Sequence, residues 1–244
     1  MTNLIKITIA FLFALLLSSC GFDINLGDFS PGERGNGIVV EDPRAVTDDF
    51  TEISVSEGLH AYVTQGDDFE IMVEADENIV DLIGTDIKNG KLRIHAIENI
   101  GRATKKIHVV LPKVSGLKSS SGAHLNVVNT IKSDKLEIDG SSGANVNAEI
   151  VAEDVDIDAS SGANLNISGE ADAAYVDVSS GGNINARSLI TQNCKADASS
   201  GGNLSINVSE SLTADASSGG NISYMGEASV QSKKNLSGSI TKRD

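Results

Sequence analysis

The chain has 244 residues, a formal net charge of −15, 40% hydrophobic residues, 4% aromatic residues and no Trp. The acidic balance argues against nucleic acid, because phosphate binding needs clustered Lys and Arg, and the core must be built from Ala, Val, Ile and Leu. The 24 Gly follow no triplet period, which excludes a collagen-like chain, and the length suits one domain or two small ones.

The N-terminus, "MTNLIKITIAFLFALLLSSC", holds one Lys, Lys6, and an apolar stretch from Ile7 to Leu17. That stretch is short for a membrane span and fits a secretory signal peptide over residues 1–19. Leu17-Ser18-Ser19-Cys20 resembles a bacterial lipobox, an apolar residue and two small ones before Cys. The resemblance implies that Cys20 is lipidated and that this lipid anchors the chain to a membrane. Residues 20–37, rich in Gly and Asp, read as a tether. With Cys20 lipidated, only Cys194 remains, and one thiol makes no intramolecular disulfide.

Residues 38–118 read as an N-terminal β region. Alternating apolar residues predict strands in "FTEISVS" from Phe50, "LHAYVTQG" from Leu59, "FEIMVEA" from Phe69, "KLRIHAI" from Lys91 and "KKIHVVLP" from Lys105. Turn clusters at Glu57-Gly58, Gly66-Asp67-Asp68 and Asn89-Gly90 separate them. "ENIVDLIGT" from Glu77 reads as one short helix or an irregular turn.

Residues 119–244 repeat. Copies of "SSG" carry glycines at Gly122, Gly143, Gly162, Gly181, Gly201 and Gly219, spaced by 21, 19, 19, 20 and 18 residues, and "NLSGSI" from Asn235 is a decayed last copy. A period near twenty is one coil of a solenoid, and period-two alternation makes that coil β rather than helical. The predicted fold is all-β, a parallel β-helix of about twenty residues per turn. Counted from each glycine, odd offsets are small or apolar and should point inward: Leu136, Val155, Ala174, Cys194 and Leu212 seven before, and Leu125, Val146, Leu165, Ile184, Leu204 and Ile222 three after. The Ser just before each glycine breaks this alternation and is expected at the bend.

Even offsets are polar. Asp139, Asp158, Asp177, Asp197 and Asp215 stand four before the glycine, and Ser always two before. Asn145, Asn164, Asn183, Asn203 and Asn221 stand two after, with His124 in the first copy; Asn126, Asn147, Asn166 and Asn185 stand four after. Stacked coils lie about 4.8 Å apart, so each residue meets its own copies; Asn amides can bond along such a ladder, whereas Asp carboxylates repel. Water, neighbouring Ser or Lys groups, or cations relieve that repulsion, and hydration is the expected one.

From Phe50 onward the chain resembles the putative autotransporter adhesin, head GIN domain family (DUF2807). The likeness lies in "FTEISVSEGLHAYVTQGDDFEIMVEADENIVDLIGTDIKNGKLRIHA" and in the Gly-Asn-apolar-Asn copies such as "GANVN" and "GGNIN", where an extra Asn departs from the family's Gly-Ile/Val-Asn signature. It implies a right-handed parallel β-helix in a secreted or surface lipoprotein with an adhesive role, here an outer-membrane lipoprotein of the cell envelope.

The residues offer little for catalysis. His60, His95, His108 and His124 are dispersed without metal-ligand spacing, and no cofactor motif is present. The expectation is a non-enzymatic module that binds a glycan or surface protein along the Asp, Ser and Asn columns. The alternative is a glycan-active enzyme working where Tyr175, Arg187 and Lys195 interrupt the repeat. Regular faces are also compatible with a homo-oligomer.

Overall fold

The computed structural model describes residues 32–234 and 237–243. Cys20 and the expected signal peptide lie outside the described residues. The described chain is a parallel β-solenoid of about seven turns with about 19 residues per turn, as the repeat predicts.

The sequence "SSG" makes the principal bend. Ser121, Ser142, Ser161, Ser180, Ser200 and Ser218 have φ between 48° and 51°, and the glycine after each has φ between 70° and 80°. Two successive left-handed residues make a primed turn, which the second position satisfies cheaply only with Gly. In the second copy, the Ala144 N–H closes the turn onto the Ser141 carbonyl at 3.0 Å. Each turn also bonds to the next coil: Gly122, Gly143, Gly162, Gly181 and Gly201 donate N–H to the carbonyls of Ser142, Ser161, Ser180, Ser200 and Ser218. The Ser that breaks the apolar alternation is thus the bend itself, and its carbonyl joins neighbouring coils.

From that bend the strands run in register. The chain enters the repeat through β8 (Gly116–Ser119), β9 (His124–Val127) and β10 (Ile131–Gly140). Four long strands follow, β11 (Asn145–Ala159), β12 (Asn164–Val178), β13 (Asn183–Ala198) and β14 (Asn203–Ala216), each covering most of a coil. β15 (Asn221–Met225), β16 (Ser229–Lys234) and β17 (Ser239–Lys242) finish the stack. Before a turn, the order is β8–β10–β11–β12–β13–β14–β16; after it, β9–β11–β12–β13–β14–β15–β17, all parallel. The inward columns are buried, from Leu136 to Leu212 and from Leu125 to Ile222. Within these strands the in–out alternation shifts where two neighbours are both exposed, at Glu153–Asp154 and Gln192–Asn193.

The N-terminal region belongs to the same solenoid. Its strands are β1 (Val39–Arg44), β2 (Glu52–Val55), β3 (His60–Gln65), β4 (Glu70–Asp76), β5 (Ile83–Lys88), β6 (Lys91–Ala96) and β7 (Lys105–Leu111), with one 3-10 turn at Val80–Leu82. That turn occupies the segment read as a short helix or irregular turn. β1, β5 and β8 were not among the strands predicted from alternation. The Glu57-Gly58 pair has φ of 61° and 67°, so "SEGLHAYV" is an early coil with the bend of "SSGAHLNV". In register, His60 meets His124, Ala61 meets Leu125 and Tyr62 meets Asn126.

The stacking order departs from chain order here. β2 pairs with both β6 and β8, and β3 with both β7 and β9. The coil of β2 and β3 therefore lies between two coils that come later in the sequence. Antiparallel strands finish this end: β5 on β6, β4 on β7 and β1 on β4.

Residues 32–37, read as the end of a tether, are joined to this cap. Glu33 donates its N–H to the Asn99 carbonyl and pairs with Ile100. The carboxylate of Asp76, a buried residue, accepts the N–H groups of Gly37 and Thr104, both at 2.6 Å. A Cβ on Gly35 would sit 2.3 Å from that carboxylate, so the strap needs glycine there.

Candidate binding face

The Asp column forms as the spacing predicts. Along the solenoid, paired register runs Lys118, Asp139, Asp158, Asp177, Asp197, Asp215 and Lys233. Five like charges one strand apart repel, and a lysine ends the column on each side. Lys233 Nζ stands 3.6 Å from Asp215, and Lys118 Nζ donates to Glu137 at 2.5 Å, which raises the Lys118 pKa. Both lysines were legible: Lys118 is four before Gly122, and Lys233 falls into place once the last copy is aligned on Ser237.

Midway, no such cation follows in the column. Loss of hydration first, then the charges of Asp156, Asp177, Asp139 and Glu137, push the Asp158 carboxyl up to about 6. Asp177 is raised for the same reasons, desolvation first and then Asp197 and Asp156. Among the described residues, no group of three or more His, Cys, Asp or Glu side chains gathers to hold a metal ion. The carboxylates run in a line, where a calcium site wants oxygens around a point.

The Asn columns divide the work differently from the simple expectation. Four after the glycine, the amides bond hand to hand: Asn147 to Asn126 at 2.9 Å, Asn166 to Asn147 at 3.0 Å and Asn185 to Asn166 at 3.3 Å. Two after the glycine, Asn164, Asn203 and Asn221 turn back to the carbonyls of Gly162, Gly201 and Gly219. In that second column, Asn221 also reaches Asn203 at 3.1 Å. Asn145 and Asn183 occupy the same column in register. The difference follows from reach: the residue nearer the bend has its own turn carbonyl beside it. Over the N-terminal coils the Asn columns continue as aromatic rings. His60 lies 4.5 Å from His124, and Tyr62 stacks on His108 at 5.2 Å. Desolvation, His124, Lys105 and Lys106 hold the His60 pKa down.

Three residues interrupt the repeat, and the fold separates them. Tyr175 and Lys195 are register neighbours beside the Asp column. Arg187 is exposed just past Ala186, where the β13–β14 register slips, and lies off their column. Cys194 faces inward; burial pushes its thiol up to about 12, which suits a small core residue rather than a nucleophile. No helix among the described residues is long and apolar enough to cross a membrane.

Residues 49–228, which hold the displaced coil, the "SSG" bends and the whole Asp column, match the family described as putative auto-transporter adhesin, head GIN domain. The chain belongs to this family. Solved structures share its fold. A putative adhesin from Bacteroides fragilis is similar with a TM-score of 0.78 at 22% identity, over 87% of this chain and 100% of that one. A putative lipid binding protein from Parabacteroides distasonis gives 0.70 at 21%, over 87% and 99%. A putative adhesin from Parabacteroides merdae gives 0.66 at 21%, over 87% and 99%. At these identities the likeness concerns the fold. No curated protein matches the chain.

Proposed function

We propose that the chain is an adhesive module of the cell envelope, anchored by lipid on Cys20 on the outer membrane, that contacts a glycan or surface protein through its polar columns without catalysing a reaction. The observation that carries this reading is the open column of Asp139, Asp158, Asp177, Asp197 and Asp215 on a chain whose family is described as adhesins. Binding along a rod suits repeated like groups, whereas an enzyme gathers unlike groups into one cleft. The Asn145, Asn164, Asn183, Asn203 and Asn221 column supplies amide donors and acceptors around the bend.

Deleting the gene should lower adhesion of whole cells to glycan- or matrix-coated surfaces, and the purified chain should bind such a surface directly. Unchanged adhesion together with no binding by the purified chain overturns the reading. The anchor has its own test: Cys20→Ser should abolish metabolic incorporation of labelled fatty acid and release the chain from the membrane fraction.

A further inference from the structure

Tyr175 stands apart from its surroundings. It is 52% exposed and, among the described residues, the exposed side chain of Phe or Tyr type. Its column in register is Glu137, Asp156, Tyr175, Lys195, Thr213 and Gln231, so the fold sets no demand for an aromatic ring here. Two residues earlier on the same strand is Ala173, too small to cover the ring, and two later is Asp177. The ring therefore offers an open aromatic face, apolar in its body and polar at its hydroxyl, on an otherwise polar surface.

Directly along the column lies a depression of about 310 Å³, lined by Lys195, Asp197, Thr213, Asp215, Gln231 and Lys233 among others. Its charges balance, two lysines against two aspartates. Its polar groups mix donors and acceptors. From Tyr175 to Gln231 is three strand spacings, about 14 Å.

We propose that Tyr175 and this depression form a subsite for a short neutral glycan, with one pyranose ring laid on Tyr175 and the next rings hydrogen-bonded along Lys195, Asp197, Thr213 and Gln231. A pyranose has one face of C–H groups and a rim of hydroxyls. The C–H face matches the open tyrosine ring, and the hydroxyl rim matches carboxylate acceptors and Lys, Thr and Gln donors. Around the ring Asp156, Asp158 and Asp177 outnumber the one cation, Lys195, which disfavours uronic or sulfated sugars there. The span accommodates a di- or trisaccharide. This subsite rests on the adhesive reading above and names its ligand class.

The test uses the purified full-length chain on an array of neutral hexose and N-acetylhexosamine oligosaccharides beside uronic-acid oligosaccharides, followed by titration of the best neutral sugar read by calorimetry. Neutral sugars should bind and acidic ones should not. Tyr175→Ala should weaken binding by about tenfold or more with an unchanged melting temperature, and Tyr175→Phe should stay within about threefold of the parent. Gln231→Ala, at the far rim, should also weaken binding, which keeps the test independent of how Tyr175→Ala folds. Neutral-sugar binding that survives both Tyr175→Ala and Gln231→Ala overturns the subsite and leaves glycan adhesion standing. Binding to acidic sugars or to a surface protein alone, with cell adhesion still dependent on the gene, overturns the neutral-glycan class and leaves the adhesive role. Absence of all binding with adhesion unaffected by deletion removes both.

Discussion

The first eighty or so described residues and the repeat that follows build the same solenoid from different materials. The N-terminal coils hold large side chains, Phe50, Ile53, Leu59, Ile71, Ile83, Leu92, Ile94 and Leu111 all being buried. Phe50 and Phe69 pack at 5.2 Å. The later coils fill much of the same interior with Ala148, Ala159, Ala174, Ala196, Ala214 and Ala216, and close approach replaces bulk. At Gly182, Gly202 and Gly220 a Cβ would stand 2.6, 2.4 and 2.2 Å from a carbonyl oxygen of the neighbouring coil. The irregular region gains stability from apolar area, and the regular one from register, where apolar and Asn side chains meet their own copies in neighbouring coils.

The widest contrast is expected from core truncation. Phe50→Ala should destabilise the chain by about 4 kcal/mol, since a buried aromatic ring packed against Phe69 is lost. Ile222→Ala, near the other end, should cost about 2 kcal/mol and unfold chiefly the last coils. Urea denaturation followed by hydrogen exchange separates the two; equal losses with global unfolding in both variants would end the distinction.

Backbone approach gives the next contrast. Gly220→Ala should cost about 3 kcal/mol, because the new Cβ would lie 2.2 Å from the Ala198 carbonyl oxygen. Ala163→Gly, the same column in a roomier coil, should cost under about 1 kcal/mol. Thermal melts of both check this, and a silent Gly220→Ala contradicts the close packing.

A smaller effect comes from the Asp column. Asp158 titrates near 6 in the fold against an ordinary 3.8, so between those values the folded chain holds a proton that the unfolded chain lacks. Its contribution to stability therefore rises as pH falls from above 6 toward 4, by about 1 kcal/mol once solvent screening is allowed for. Asp158→Asn should be more stable than the parent at pH 7, and the gap should close at pH 4. Urea midpoints of the two proteins across that range measure it; a gap that widens toward acid has the sign wrong.

The smallest expected change is in the amide ladder. Asn166 holds both a donated and an accepted amide bond, whereas Asn164 bonds back to Gly162. Asn166→Ala should cost about 1 kcal/mol and Asn164→Ala less, both being exposed. Matched melting temperatures in the two variants would mean the ladder is ornamental to stability.

Much of this was legible in the sequence because alternation and a fixed period are local signals. Ala163 and Leu165 read as core from their offsets, Asp158 read as external, and all three stand where they were expected. The stacking order was not legible, since nothing in "FTEISVS" states that β2 will pair with strands some forty and sixty residues later. β1 also escaped notice: it contains Pro43, and only its partner β4 gives its alternation a meaning. The choice between the two Asn columns depended on a turn carbonyl within reach, a matter of ångströms that spacing alone does not carry.

The displaced coil of β2 and β3 sets where the protein can vary in length. A copied twenty-residue unit placed among the "SSG" coils would meet matching registers above and below, and the rod would grow by one rung. Placed before β8, it would have to pass a coil already clasped on both sides by later chain, and both clasps would lose register. Reach away from the cap is thus a freely adjustable dimension of this architecture, while the cap itself is a fixed part that must be inherited whole.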